Sequence, residues 1–290
     1  MTKNITRSFV VGDEWIYYKI YTGIITADSI LINHLKPILE NLVKDNNVDQ
    51  WFFIRYYDPD FHLRLRLHFS GKNNFENIIN RINLELKKLK EIDLIWKIQI
   101  DSYDRELERY GAFIIEQSEL IFYHDSIMIL NALSILEDGV NLNLQWLWGL
   151  FAINAFMDDF NLSLNEKKNL VENLQIVFGK EFGINKNMRK QLSLKYHKFK
   201  TEIDAILSKK TNNNDLFTLI EEKSASIKPA IEKIKEQLTS SIEINHLISS
   251  HIHMTMNRLF QSKNRLNEFV SYQMLLFYYE SKIARIKYSK

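Results

Sequence analysis

The sequence contains no cysteine, which excludes a disulfide scaffold, a thiolate metal site and a cysteine nucleophile. It has only 8 glycines and 3 prolines in 290 residues. This scarcity favours long regular elements over a loop-rich sandwich. The 38 Lys and Arg residues nearly balance the 36 Asp and Glu residues, so no global positive field favours nucleic acid or an anionic membrane surface as partner.

Long apolar runs are also missing. No stretch approaches 18 uncharged apolar residues, and the first twelve residues lack the apolar run and the cleavage site of a signal peptide. These features predict a cytoplasmic protein without a membrane span. The sequence lacks the GxGxxG, GxxxxGKS/T and GxSxG patterns as well, so nucleotide binding and hydrolase-elbow chemistry have no motif support.

The order of strand and helix periods predicts the fold class. Strand patterns cover 15–21, 51–57, 61–69 and 93–102, and helical periods cover 26–42 and 73–90. This β-α-β-β-α-β order is typical of a ferredoxin-like antiparallel sheet. After Gly111 helical spacing prevails, with candidate helices at 113–137, 144–160, 166–179, 186–208, 215–238, 241–262 and 266–287 and breaks at Gly139, Gly179, Gly183 and 212–214. We predict one α+β domain over 1–290, with a sheet half (1–112) and a helical half (113–290).

Strand 61–69 carries basic side chains on one face. It includes the segment His62-Leu63-Arg64-Leu65-Arg66-Leu67-His68. Because successive side chains of a strand point to opposite faces, the leucines bury one face and the histidines and arginines share the other. Such a face suits the solvated side of a half-covered sheet. It equally suits an anion site, since a planar guanidinium binds carboxylate or phosphate through two parallel hydrogen bonds.

Two further segments gather polar residues. Tyr103-Asp104-Arg105-Glu106 follows the last strand, where it is either a charged loop with local ion pairs or a source of a third cation for the basic face. On a helix over 246–260, His246, Ser249, Ser250, His253 and Asn257 lie on one side. Either a hydrogen-bonded core histidine or a functional histidine explains this polar stripe. A metal site is not expected, because His251 and His253 diverge on a helix and HExxH is absent.

Several short motifs, in order, suggest a family. They are Trp51-Phe52-Phe53-Ile54-Arg55-Tyr56, Asp58-Pro59, His62-Leu63-Arg64-Leu65-Arg66, Tyr103-Asp104-Arg105-Glu106, Arg109-Tyr110-Gly111, Asp125-Ser126, His253-Met254 and Asn257-Arg258-Leu259. The chain resembles, over nearly its whole length, the C-terminal elimination domain of lantibiotic dehydratases, also called the thiopeptide-type bacteriocin biosynthesis domain. Ala112 departs from the family, which often has a second glycine there.

The resemblance implies a lyase that expels glutamate from glutamylated Ser or Thr of a ribosomally made precursor peptide, leaving dehydroalanine or dehydrobutyrine. It implies no cofactor and no metal. By the same resemblance the catalytic residues are Arg64, Arg66, Arg105 and His253, and the substrate-binding residues are His62, Arg55, Tyr103 and Asn257. The family's glutamylating region has no counterpart in the sequence, so we expect a stand-alone elimination subunit of a split dehydratase. Its expected partner is a separate tRNA-dependent glutamylating protein, and a homodimer is expected because family members are often dimers.

Two other functions stay open at this point. A thiopeptide-type [4+2] cyclase uses a related domain to join two dehydroalanines, although the His-x-Arg-x-Arg pattern favours elimination, which has a carboxylate for the arginines to bind. A noncatalytic subunit that binds the precursor peptide is the second alternative. Direct nucleic acid binding is disfavoured, because the net charge is only +2 and the aromatic residues follow core periods.

Overall fold

The computed structural model describes residues 5–71, 74–137 and 142–288, with the backbone alone at 137 and 142. Its contacts divide the chain into two compact units. The first unit comprises Met1–Ser134 and Glu232–Gln237, and the second comprises Ile135–Ile231 and Leu238–Lys290.

The first unit holds the strands, as predicted. They are β1 (Ser8–Phe9), β2 (Trp15–Thr22), β3 (Gln50–Tyr57), β4 (Phe61–His68), β5 (Ile95–Asp101) and β6 (Tyr103–Asp104). Four of them form one antiparallel sheet in the order β3-β4-β2-β5, and β1 pairs with β6 in a separate two-stranded sheet. With the helices that connect β2 to β3 and β4 to β5, this order is that of a ferredoxin-like fold, which confirms the predicted class. The two-residue strands β1 and β6 were not predicted.

Two helical connections complete the β-α-β-β-α-β pattern. The first consists of α1 (Thr26–Ser29), a π-helical stretch (Ile30–Leu35) and α2 (Lys36–Lys44). Pro37 lies in the first turn of α2, directly after the π-helical stretch, where its missing N–H is tolerated. The second is α3 (Asn74–Glu91), whose buried residues Ile78, Ile82, Leu86 and Leu89 form one apolar stripe.

Strand β4 separates two environments, because its side chains alternate. Leu63, Leu65 and Leu67 are 0% exposed and lie in the core on one face of the sheet. On the other face, His62 and Arg66 are also buried, while Arg64 and His68 are partly exposed. The predicted division into a leucine face and a basic face is confirmed, but the basic face is largely covered rather than fully solvated.

The helices after the sheet are α4 (Leu107–Tyr110), α5 (Ile115–Glu137), α6 (Leu142–Asp159), α7 (Leu164–Glu181), α8 (Lys186–Leu207), α9 (Asn214–Gln237), α10 (Ser241–Leu259) and α11 (Asn264–Tyr288). The helices from α5 to α11 match the seven predicted helices to within a few residues, and α4 was not predicted. The break predicted at Gly179 is wrong, because this residue lies inside α7. A Cβ there would come within 3.2 Å of the Ile184 side chain, and the turn that ends the helix instead uses Gly183, at φ +60°. Gly139 falls outside the described residues.

Among the described residues, one helix is long and apolar enough to cross a membrane, by length and composition alone. It is the Ile115–Leu136 part of α5. In its most apolar 18-residue window, 56% of the residues are buried inside the protein. Core helices satisfy the same criteria. Glu119 and Asp125 on this helix are buried at 0% and 2% exposure, and Glu119 pairs with Arg105 of the same unit. These contacts are typical of a core helix.

Candidate active site

The sheet register brings aromatic residues next to the basic residues of β4. Tyr17 of β2 and Phe52 of β3 lie directly opposite Arg66, and Lys19 lies opposite Arg64. Side chains at directly opposed positions share one face of a sheet. We call this surface the arginine face and define it by the residues His62, Arg64, Arg66, Tyr17, Lys19, Tyr21, Phe52 and Tyr56.

Arg66 lies inside an aromatic cage. Its guanidinium carbon is 4.6 Å from the ring centroid of Tyr17, 4.7 Å from that of Tyr103 and 5.4 Å from that of Phe52. Cation–π contacts stabilise a cation that is removed from water. The buried Nε of Arg66 and the buried hydroxyl of Tyr17 have no hydrogen-bond partner among the described residues. Buried polar groups are normally paired, so two unpaired donors on one face indicate a place for a ligand acceptor.

Arg64 is held more loosely, by one hydrogen bond and one ring. Its Nε donates to Nε2 of His62 at 3.2 Å, and its guanidinium carbon lies 3.3 Å from the ring centroid of Tyr56. Its neighbour Lys19 pairs with Asp101 at 2.5 Å, which neutralises that lysine. Arg64 and Arg66 are therefore the two cations of the face without an acidic partner in the part of the chain that the structure describes, and both offer N–H groups to an anion.

Arg105 is placed differently, because an acidic side chain already occupies its donors. Its Nε and Nη2 donate to the two carboxylate oxygens of Glu119 at 2.8 and 2.6 Å, and its Nη1 donates to the carbonyl of Thr6. The Tyr103 hydroxyl donates to the same carboxylate at 2.9 Å. Burial, followed by the charge of Glu119, raises the pKa of Tyr103 well above its usual value. Glu119 thus fixes both the arginine and the tyrosine ring that covers Arg66.

Two residues with basic side chains near this sheet lie apart from the site. Arg55 is on the leucine face, since it lies opposite Leu63, and it is buried in an ion pair with Asp28. His68 is on the basic face but at the other end of β4, where its Nδ1 is 3.1 Å from Asp49. The structure therefore does not bring Arg55 together with His62, Arg64 and Arg66.

The second unit contains a histidine oriented by a buried carboxylate. On α10, His253 places its Nδ1 2.8 Å from Oε2 of Glu268, and the Tyr272 hydroxyl donates to Oε1 of the same residue at 2.7 Å. Glu268 and Tyr272 are almost fully buried, whereas the His253 side chain is 22% exposed. Burial, reinforced by the charge of Glu268, raises the pKa of Tyr272 well above its usual value. We call these three residues the histidine cluster.

This geometry suits a general base. A carboxylate at Nδ1 fixes the ring and stabilises its protonated form, while the lone pair at Nε2 remains available for proton transfer. Asn257 lies one helical turn beyond His253 and is partly exposed. Among the described residues, no group of three or more acidic or histidine side chains is arranged to hold a metal ion.

Sequence reasoning missed the residues that support the predicted ones. Glu119 and Glu268 are charged side chains at buried positions of long helices. Their signal in the sequence is an acidic residue that interrupts an apolar stripe, which predicts a buried pair but does not identify the partner.

The fold and both sites define a class of protein: a ferredoxin-like α+β protein with an aromatic-caged arginine pair and a carboxylate-oriented histidine. The family model described as "Lantibiotic biosynthesis dehydratase C-term" matches residues 15–279. The chain belongs to this family, which confirms the resemblance drawn from its motifs.

Comparison with individual proteins agrees. Nisin biosynthesis protein NisB of Lactococcus lactis subsp. lactis is 30% identical over 251 residues, which cover 85% of this chain and 24% of NisB. The structure of MibB, a tRNA dependent lantibiotic dehydratase from Microbispora sp. 107891, superposes with a TM-score of 0.71 at 20% identity, over 91% of this chain and 28% of MibB. The pyridine synthase TbtD from thiomuracin biosynthesis superposes with a TM-score of 0.67 at 12% identity, over 95% of this chain and 98% of TbtD. MibB and TbtD share the fold of this chain. The chain spans about a quarter of the length of NisB.

Proposed function

We propose that this protein is a lyase of lantibiotic biosynthesis that eliminates glutamate from glutamylated Ser or Thr residues of a ribosomally made precursor peptide. The products are dehydroalanine or dehydrobutyrine and free glutamate. The observation that carries the proposal is the pair Arg64 and Arg66, two adjacent cations of one strand face whose N–H groups have no acidic partner among the described residues. Membership of the dehydratase family supports the same reaction.

The reaction needs what these residues supply. A base removes the α proton of the esterified residue, the electron pair forms the Cα–Cβ double bond, and the Cβ–O bond breaks with its electrons leaving on glutamate. The glutamyl group thus carries one carboxylate throughout and generates a second as it departs. Each is an anion that a guanidinium binds through two parallel hydrogen bonds. Arg64 and Arg66 therefore bind the adduct and stabilise the charge that develops on the leaving group.

His253 is the proposed base. With Nδ1 directed at Glu268, its Nε2 accepts the α proton, and the buried carboxylate stabilises the resulting imidazolium. The same proton can then be released to water. Arg105 does not contact the substrate in this proposal. It binds Glu119, which also binds Tyr103, and so helps to position the tyrosine ring that covers Arg66. Asn257 remains a proposed substrate-binding residue, and His62 contributes to the site through its contact with Arg64.

The substrate defines a partner by its chemistry. Elimination consumes a glutamyl ester, so an activity that attaches glutamate to the precursor peptide must act first. We propose that this activity is tRNA-dependent, as in the description of MibB. The relatives are named as proteins of nisin and subtilin biosynthesis. We propose a ribosomally made precursor peptide as the second partner and a cytoplasmic location.

A [4+2] cyclase is the second candidate, and one observation favours it: TbtD, a pyridine synthase, matches 95% of this chain with a TM-score of 0.67. The arginine face favours elimination, since two dehydroalanines present no carboxylate to Arg64 or Arg66. A noncatalytic peptide-binding subunit does not require an oriented histidine such as His253.

Mass spectrometry of a glutamylated precursor peptide incubated with the purified protein tests the proposal. We expect loss of one glutamic acid at each modified Ser or Thr, which leaves that residue one water lighter than in the unmodified peptide, and the appearance of free glutamate. A return to the mass of the unmodified peptide indicates ester hydrolysis and contradicts elimination. The Arg64→Ala and His253→Ala variants should retain the glutamyl adduct. A peptide that keeps every glutamyl group with the wild-type protein contradicts elimination. Loss of the leader with formation of a ring from a dehydrated peptide identifies the cyclase instead.

A further inference from the structure

His62 is fully buried, with each ring nitrogen next to one partner. Its Nδ1 lies 2.9 Å from the main-chain carbonyl of Asp60, and its Nε2 accepts the Nε–H of Arg64 at 3.2 Å. The ring lies between Tyr21, at 4.7 Å between centroids, and Tyr56, at 5.6 Å. These contacts fix its position and its orientation.

The two partners also fix where the proton is. A carbonyl oxygen only accepts, so Nδ1 of His62 carries the hydrogen that Asp60 receives. A guanidinium only donates, so Nε2 must present a lone pair to Arg64. Both conditions hold only for the neutral ring with its hydrogen on Nδ1. His62 therefore has no ring nitrogen left for a substrate.

The same contact selects which edge of Arg64 faces a ligand. A guanidinium offers a carboxylate either its side-on edge, Nε with one Nη, or its end-on edge, the two Nη atoms. Because His62 takes the Nε–H, the side-on edge is occupied, and the ring of Tyr56 covers one face of the guanidinium plane. The end-on edge is the one that remains for bidentate binding.

We infer that His62 is a positioning residue, not a substrate ligand, which directs the end-on edge of Arg64 toward the glutamyl carboxylate. This inference rests on the proposed elimination reaction. It predicts that the neutral ring is required, since a second ring hydrogen at Nε2 would point at the Nε–H of Arg64 and break the contact.

The surroundings of His62 disfavour the second hydrogen. Burial lowers the pKa of His62, and the charges of Arg64 and Lys19 lower it further, against the opposing effects of the Asp60 carbonyl and the Asp58 carboxylate. The other titratable groups at the ring are the hydroxyls of Tyr21 and Tyr56. Arg64 is thus held in place at neutral pH and is released only under acidic conditions.

Three variants test the role through steady-state kinetics with glutamylated peptide. His62→Phe keeps the ring packing and removes the acceptor, so KM should rise about tenfold, the effect of one lost hydrogen bond, with a smaller change in kcat. His62→Gln restores an acceptor near Nε2 and should recover most of that loss. His62→Asn is the matched control. Its side-chain amide lies where Nδ1 was, so it reaches the Asp60 carbonyl but not Arg64. KM of the wild-type protein should also rise below about pH 6.5, and that rise should be absent in His62→Gln.

A measurement on the wild-type protein guards against variants that do not fold. Nitrogen-15 NMR of the histidine rings at pH 7 should show a neutral His62 with its hydrogen on Nδ1. A hydrogen on Nε2, a protonated ring, or an unchanged KM in a folded His62→Phe variant overturns the inference. Wild-type protein that releases no glutamate contradicts the proposed reaction instead, and the NMR measurement then still tests the contact between His62 and Arg64.

Discussion

Removal of the Arg105 guanidinium should destabilise the protein strongly, because the residue neutralises a fully buried acid. Glu119 is 0% exposed and Arg105 is 7% exposed. Two hydrogen bonds, at 2.8 and 2.6 Å, join them side-on. In Arg105→Met the Tyr103 hydroxyl, at 2.9 Å, would be the one hydrogen-bond partner left to the carboxylate among the described residues. The variant therefore tests whether Arg105 contributes to the stability of the fold or to substrate binding.

The expected size follows from the burial. Breaking a buried ion pair by removal of one partner costs about 3–5 kcal/mol, since an uncompensated charge remains in the core. For a protein of this size the loss corresponds to a fall in Tm of roughly 6–20 °C. Replacing both partners, in Arg105→Met with Glu119→Leu, should recover most of the loss, because well-packed apolar replacements of a buried pair are often neutral.

Urea unfolding and thermal melts of the single and double variants measure these quantities in a double-mutant cycle. The matched control is Arg7→Met, which removes the exposed ion pair between Arg7 and Glu108, with side chains 58% and 70% exposed. The control should leave the free energy of unfolding almost unchanged, because solvent screens an exposed ion pair. A loss below 1 kcal/mol in Arg105→Met, together with abolished glutamate release, would refute the structural role and assign Arg105 to the substrate.

Three other outcomes are expected. Glu268→Gln should lower kcat by about ten- to a hundredfold with a normal fold by circular dichroism, because it removes the charge that stabilises protonated His253; an unchanged rate would contradict that role. Arg66→Lys should raise KM by at least tenfold in the same peptide assay, because a lysine provides neither the planar stacking nor the bidentate fork, and wild-type kinetics would argue against substrate binding there. For His62, whose pKa is lower in the folded protein, stability is fully present above about pH 6.5 and decreases as the pH falls from there toward the folded pKa; urea unfolding across that range should show this loss, and His62→Gln should lack it.

Local patterns were sufficient to predict the sheet and the division of β4 into two faces. Alternation is a property of neighbouring residues, so Leu63, Leu65 and Leu67 could be assigned to the core without knowledge of the rest of the chain. The same reasoning placed Arg64 and Arg66 on one face, as the structure shows. Gly179 shows that a glycine does not by itself mark the end of a helix. Helix α7 continues through Gly179, which packs closely against Ile184.

Partners distant in sequence could not be predicted in this way. Arg55 and Arg105 are basic residues in matching motifs, yet Asp28 and Glu119 neutralise them from 27 and 14 residues away. Pairing of this kind depends on tertiary packing, which the spacing of apolar and polar residues along the sequence does not predict. The sequence therefore predicts which side chains carry charge, and the structure shows that Arg55 and Arg105 have acidic partners, whereas Arg64 and Arg66 have none among the described residues.

The most direct test of the elimination reaction is the mass of a glutamylated precursor peptide after incubation with wild-type protein and with Arg64→Lys, which keeps the positive charge but loses the fork. The wild-type protein should leave each site one water lighter than in the unmodified peptide and release an equal amount of glutamate, while the variant should leave most of the adduct intact. A return of the sites to the unmodified mass would indicate hydrolysis and contradict elimination. Equal release by both proteins would contradict the role of the arginine face, and release by neither would contradict elimination itself.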